Sequence, residues 1–408
     1  MGDPLRGVGK AKQEAGSAGF SVTRLFYLGP FITMFDRGVI GPLLVAISLE
    51  FRVPLAAAAT VATVYYIFYG GMQLAFGILS DRAGRVRVMR IGLAGAAVAG
   101  LLSTIAPSLG TLIAARAAAG GLTAAILPAS IVYIGDALPF RLRQRVLADL
   151  LAAAAVGSAS GALIAGALAR FASWRISFLI PAIVAGVLFF GYRRLPESHR
   201  TERGGGPLAQ LGLVARRPWA VFLIALALIE GVALQGLFTF LAPALQAHGF
   251  DAAMAGLIVT SYGLAVLVGT RIVKQIALRV PAALLVAIGG TMLVAGFVAA
   301  AINPDIPGVA AASVMAGGAY AFMHSTLQSW ATDVVPNARG TLAALFVTAY
   351  QLGAAAGVAA VAGLVGSRQY STIFWIAAAV AAPVLIAGTF GRARYSGSSS
   401  GGGVNVVD

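Results

Sequence analysis

Cysteine is absent from the 408 residues, histidine occurs three times, and charged side chains make up only 11%. Without cysteine there are no disulfides, no thiolate catalysis and no cysteine-based metal site. His199, His248 and His324 are too scattered to form a metal motif. A soluble chain is about 25% charged, so this one lacks the polar surface to cover the two or three soluble domains its length would allow. Acids are scarcest, 14 Asp and Glu against 29 Lys and Arg, for a net charge of +15. The bases fall in short groups between apolar runs, so they point to a bilayer and not to nucleic acid. No GxxxxGK[ST] string is present, which excludes ATP-driven pumping at the level of motifs. No apolar stretch with a small-residue cleavage site follows the first 20 residues at signal-peptide spacing, so no cleaved targeting peptide is expected.

Apolar residues are what the chain has in excess. They make up 59% of it, with a mean hydropathy of +0.89. About 20 consecutive apolar residues form one bilayer-crossing helix. Such runs are predicted over residues 24–49, 54–79, 88–106, 110–134, 146–169, 174–192, 218–242, 251–272, 281–302, 307–332, 341–366 and 372–390. The fold class expected is an all-α membrane protein of twelve transmembrane helices in two pseudo-symmetric six-helix bundles. The division runs as a tail 1–23, a first bundle 24–192, a central loop 193–217 around Gly204-Gly205-Gly206-Pro207, a second bundle 218–390 and a flexible Gly/Ser-rich tail 391–408.

Orientation follows from the basic residues. The tails and even-numbered connections carry 23 of the 29 Lys and Arg, whereas the odd-numbered ones carry four, Arg52, Arg170, Arg175 and Arg368. Both termini are therefore expected in the cytoplasm, in a plasma or bacterial inner membrane. The halves also look related. Asp136-Ala-Leu-Pro139 after span 4 recurs 197 residues later as Asp333-Val-Val-Pro336 after span 10. A repeated six-span unit with a central loop suggests a transporter whose site lies between the halves.

The connection between spans 2 and 3 carries the most specific string, Gly77-Ile-Leu-Ser80-Asp81-Arg82-Ala-Gly84-Arg85-Val-Arg87. A glycine-broken turn with one acid and several bases can latch neighbouring helices through charge pairs and helix-end dipoles. Arg82 is equally read as a topology charge. The string closely resembles the G-x-L-[AS]-D-R-x-G-R signature of the major facilitator superfamily. Arg116-Ala-Ala-Ala-Gly120 resembles that superfamily's second motif, and Trp174-Arg175-x-x-Phe178 with Leu195-Pro196-Glu197 matches a further recurrent feature. The twelve-span layout is most similar to its drug:proton antiporters, although the proline of their span 5 motif is missing around Gly157 and Gly161. The packing of small residues explains those two glycines without a transport role. The resemblance implies a monomeric transporter without cofactors that moves a small molecule across the bilayer with protons as coupling ion. It also implies that Asp81 caps the start of span 11 and Arg85 pairs with Asp136 in the outward-open state, and that Arg116 serves proton coupling. Arg271, Lys274 and Arg279 have no acid beside them, so this latch is expected in the first half alone.

Ionisable residues inside a span are functional candidates by default. Asp36 and Glu230 each lie about twelve residues into spans 1 and 7, near the midplane at 1.5 Å per residue. Desolvation disfavours a charged carboxylate, the property a proton carrier needs. Asp36 is preferred as the proton site and Glu230 as the substrate contact, with an internal ion pair between Asp36 and Arg37 or Arg116 as the purely structural reading. Gln73, Gln235, His324 and Gln328 are further candidates to line a cavity, with Tyr65, Tyr66, Tyr69, Phe238 and Phe240 as a possible apolar floor. The expected function is proton-coupled efflux of a lipophilic or cationic molecule by alternating access. The alternatives are transport of an organic anion, sugar or lysolipid, and, remotely, an intramembrane hydrolase built on Ser160 and His324.

Overall fold

The computed structural model describes residues 25–137, 140–197 and 207–395. The tail 1–23, most of the Gly-rich part of the central loop and the last residues of the Gly/Ser tail lie outside the described residues. Among the described residues, eleven helices are long and apolar enough to cross a membrane: Leu55–Ala83, Arg85–Thr104, Leu109–Ala137, Val146–Phe171, Ile176–Arg194, Pro218–Ala247, Ala252–Ile276, Ala282–Ile302, Ile306–Val334, Pro336–Ala360 and Tyr370–Arg394. A twelfth is made of Leu25–Gly38 and Ile40–Phe51, bent by 45°. These are spans 2 to 12 and span 1. A helix satisfies every backbone hydrogen bond within itself, which is why apolar runs of this length take no other form in hydrocarbon.

Regular helix geometry breaks at four mid-membrane points. Span 1 bends where Pro42, which has no N–H, offers no donor to the carbonyl of Gly38 four residues back and crowds it with its ring. Span 7 widens into a π-turn over Val232–Gly236 and tightens into a 3₁₀ turn over Leu237–Phe240. Span 10 carries a π-turn over Tyr320–His324. Span 4 is interrupted between Thr123 and Ile126. The affected helices are the first and fourth of each half, and π-turns of this kind cluster at functional sites.

Within the first half, span 3 packs on spans 4 and 6, and span 2 on span 4; within the second, span 7 packs on span 11, span 8 on span 10, and span 9 on spans 10 and 12. The halves meet where span 5 lies against span 8 and span 2 against span 11. Glycine makes these approaches possible. A Cβ on Gly256 would run into the carbonyl oxygen of Ala162, and one on Gly157 or Gly161 into the carbonyl of Phe31 or Phe35 in span 1. Packing thus accounts for the two span 5 glycines. Every described hydrogen bond or ion pair between the halves lies at mid-span or at the end opposite the basic loops. At that end Arg170 Nε is 3.3 Å from Asp251 Oδ2, and Gln246 Nε2 donates to the Pro42 carbonyl at 3.2 Å. The molecule is closed there.

Two segments depart from the sequence expectation. The central connection contains a helix, Pro207–Ala215, which packs on spans 7 and 11; Thr341 Oγ1 donates to its Gln210. The last span continues past residue 390 to Arg394, and the Tyr395 ring lies 5.7 Å from that of Trp219 and 5.3 Å from that of Trp330. The flexible tail therefore cannot begin at 391.

Candidate membrane-centred site

In the first half, Asp36 on span 1 and Arg116 on span 4 form a bidentate ion pair, with Nη1–Oδ1 at 2.8 Å and Nη2–Oδ2 at 2.7 Å. Both side chains are buried. The guanidinium is sandwiched between the rings of Tyr65, at 4.9 Å, and Phe178, at 4.6 Å. Of the two partners open to Asp36, the structure selects Arg116. Asp36 presents both oxygens to a cation that stays protonated, so it is not a free proton acceptor in this conformation.

The second half uses the same two helices. Glu230 on span 7 is wholly buried, and His324 on span 10 brings Nδ1 to 3.2 Å from Glu230 Oε1. Glu230 Oε2 has no hydrogen-bond partner. The imidazole is stacked on Tyr320 at 4.5 Å and flanked by Tyr350 at 4.8 Å and Phe346 at 5.7 Å. The π-turn that ends at His324 sets the ring's direction, and a Cβ on Gly231, next to Glu230, would run into the Tyr350 carbonyl. Spans 7, 10 and 11 thus enclose an acid and a titratable base together.

Between the halves lies a polar network. Arg37 Nη2 donates to Gln235 Oε1 at 2.6 Å and Gln351 Oε1 at 3.2 Å. Gln235 Nε2 donates to Tyr66 Oη at 3.0 Å, and Tyr66 shares a hydrogen bond with Thr239 at 3.3 Å. Four spans, 1, 2, 7 and 11, meet there. Gln73 is buried with Oε1 unpaired; Gln328 is half-buried and makes no described hydrogen bond. Tyr262, Tyr320, Tyr350 and Gln351 were not singled out from the sequence. The one signal available was the run of tyrosine and glutamine at mid-span, such as Tyr350-Gln351. Phe240 is packed in the core, whereas Phe238 stands 4.8 Å from Tyr262. Ser160 gives its hydroxyl to the Val156 carbonyl at 2.7 Å and is no nucleophile for His324.

The loop between spans 2 and 3 is built as a cap and a charge cluster. Arg85, buried, lies 2.7 Å from Asp81 Oδ1 and 3.3 Å from Asp136 Oδ2. The Arg85–Asp136 pair forms with the opposite end of the molecule closed, whereas the resemblance placed it in the outward-open state. Asp81 differs: its side chain is 61% exposed and paired with Arg85, and span 11 starts at Ala338 and Arg339 with no side-chain cap. Glu197 caps a different helix, the start of span 3, accepting from the backbone N–H of Val86 at 2.8 Å and Arg87 at 3.0 Å. Gly84 has φ of +97°, and a Cβ on it would lie 2.5 Å from Glu197 Cδ. Gly77 has open space around it, Arg82 is exposed, and Asp333 is exposed and makes no ion pair among the described residues. An apolar groove of about 380 Å³ between spans 8, 9 and 10 opens through exposed Leu264 and Val268 to the hydrocarbon and lies apart from these charges.

Two six-helix halves closing on buried charges at mid-membrane define a multi-pass transporter, not an enzyme. The chain belongs to the Major Facilitator Superfamily, whose family model matches residues 26–358. It is 27% identical to the puromycin resistance protein pur8 of Streptomyces alboniger, over 80% of this chain and 78% of that protein. It is 33% identical to the multidrug efflux pump LfrA of Mycolicibacterium smegmatis, over 44% of this chain and 36% of the pump. With the cephamycin export protein CmcT of Amycolatopsis lactamdurans identity is 32%, over 45% of this chain and 40% of that one. Among solved structures, a bacterial homologue of the lysosomal transporter Spinster, inward-facing and unoccupied, superposes with a TM-score of 0.71 at 19% identity, covering 93% of this chain and 99% of that one. A D-xylose-proton symporter gives 0.73 at 18% identity, covering 90% and 96%. These two likenesses carry the fold alone.

Proposed function

We propose that this chain exports a lipophilic small molecule by alternating access, driven by protons that enter as the substrate leaves. The observation that carries the reading is the buried Glu230–His324 pair. A proton carrier needs a group that holds a proton in one facing state and releases it in the other. An imidazole against a carboxylate at mid-membrane, ringed by Tyr320, Phe346 and Tyr350, is such a group. Asp36, first preferred for this role, is tied to Arg116, so the proton is assigned to Glu230 and His324, and Asp36–Arg116 becomes the fixed counterpart in the other half. In this reading the basic loops face the cytoplasm, both termini lie there, and a single chain in a plasma or bacterial inner membrane is the working unit. The relatives described as resistance, efflux and export proteins support the outward direction.

The test is flux of a fluorescent lipophilic dye in liposomes under an imposed pH gradient. Glu230→Gln and His324→Asn should each abolish gradient-driven accumulation while leaving exchange of dye at equal pH. Wild-type accumulation in both variants would overturn the assignment.

A further inference from the structure

Arg37 has no carboxylate. Asp36, next in the chain, is taken by Arg116, and among the described residues no ion pair involves Arg37. An arginine at mid-span is costly unless it is paired or faces a polar cavity. What holds this one is neutral: the side-chain oxygens of Gln235 and Gln351, both on the same nitrogen, Nη2. Nη1 faces only the sulfur of Met34 at 3.9 Å, a weak acceptor, and the Tyr69 ring lies 5.8 Å from the guanidinium carbon. The surplus around it is also of donors. Gln351 is wholly buried with Nε2 unpaired, and the buried hydroxyl of Tyr350, the preceding residue, has no partner. Of the other mid-span ionisable groups, Asp36 is paired with Arg116, and Glu230 lies against His324 and makes no ion pair with Arg37.

We propose that Arg37, with Gln351, is the seat of an anionic head group, so that the substrate is an amphipathic organic anion, a carboxylate on an apolar body. A guanidinium fork binds a carboxylate in two parallel hydrogen bonds, and Nη1 and Nη2 offer that fork once Nη2 turns from its glutamines. Arg37 also ties span 1 to spans 7 and 11 at mid-membrane. An anion that takes Nη2 exchanges cross-half contacts for contacts to itself, so occupancy and loosening of the halves are one event. This rests on the reading of the mid-membrane cluster as the transport site, and it takes the organic anion given above as an alternative in place of the cation.

The experiment measures binding to the detergent-solubilised full chain at fixed pH, by tryptophan fluorescence and thermal shift. The probes are aromatic carboxylates of two to four rings, their methyl esters, and trimethylammonium compounds with the same ring bodies. Carboxylates should bind saturably and at least about tenfold tighter than their esters. Arg37→Gln should bring them to the level of the esters, Arg37→Lys should restore part of the preference, and Gln351→Leu should weaken it. Equal affinity for acid and ester, tightest binding by the ammonium series, or an unchanged preference in both Arg37→Gln and Gln351→Leu would overturn the proposal. The Gln351→Leu arm decides alone if Arg37→Gln does not fold. No gradient is applied, so failure here is distinct from failure of proton coupling, which Glu230→Gln reports in flux.

Discussion

His324 Nδ1 lies 3.2 Å from Glu230 Oε1, and the helices that carry them, spans 10 and 7, are the counterparts of spans 4 and 1, which carry Arg116 and Asp36. Each half therefore joins its first and fourth helices through an acid and a base at mid-membrane. The halves differ in the base. Arginine keeps its proton at any working pH, whereas histidine exchanges it. In the proposed mechanism one contact is therefore a permanent clamp and the other a switch.

The clamp predicts a non-additive mutant series. Removing one member of a buried ion pair leaves the other charge unmatched and costs about 3–5 kcal/mol, while replacing both by apolar residues is far milder. Asp36→Asn and Arg116→Leu should each lower the melting temperature of the purified protein strongly, and the double variant Asp36→Leu/Arg116→Leu should recover most of the loss. Additive losses would show that the pair does not act as a unit.

The switch predicts a separation of functions. Glu230→Gln and His324→Asn remove no fixed charge pair and should leave the melting temperature close to wild type while abolishing gradient-driven flux. Unfolding on the scale of the Arg116 variants would place Glu230 and His324 with the structural residues.

Gly84 is predicted to be irreplaceable for two reasons at once. Its φ of +97° disfavours any side chain, and a Cβ there would displace Glu197 from the start of span 3. Gly84→Ala should impair transport, and Glu197→Gln, which keeps the acceptor but halves its capacity, should impair it less. Equal activity of Gly84→Ala and wild type would refute this account of the loop.

At the closed end, Asp251 caps span 8 through the Met254 N–H at 2.9 Å and faces Arg170. That N–H first, and then Arg170, hold its carboxyl below the ordinary aspartate range. A depressed folded-state value means the contribution is present above the ordinary range and is lost as pH falls through the lowered one. Spin-label distances between spans 5 and 8 at this end should therefore stay constant through neutral and mildly acidic pH and lengthen only below the range near ~4. Asp251→Asn keeps the cap and loses the ion pair. It should widen the same distance slightly at neutral pH with little change in melting temperature, because exposed pairs are weak.

The twelve helices were legible because hydrocarbon demands about 20 apolar residues per crossing, a signal that needs no tertiary context. Asp36, Glu230, Arg37 and Arg116 stood out for the same reason, as charges where charges are expensive. The sequence left the partner of Asp36 open between Arg37 and Arg116, because Arg116 is 80 residues away and only the fold brings it to Asp36. The π-turn at Tyr320–His324 contains neither proline nor glycine, so nothing local announces it, yet it aims His324 at Glu230. The linker helix did carry a signal, Pro207 at its first position, which the preceding glycines obscured.

That linker helix sets where the polypeptide can be divided. Pro207–Ala215 is docked on spans 7 and 11 through its own packing and the Thr341–Gln210 bond, and Glu197 is committed to the start of span 3. A cut between residues 197 and 207 would leave each fragment with its own terminal caps, whereas one after Ala215 would strip the second fragment of its first docked element. Two separately encoded chains that reassemble in the membrane should therefore be obtainable from the first cut and not from the second.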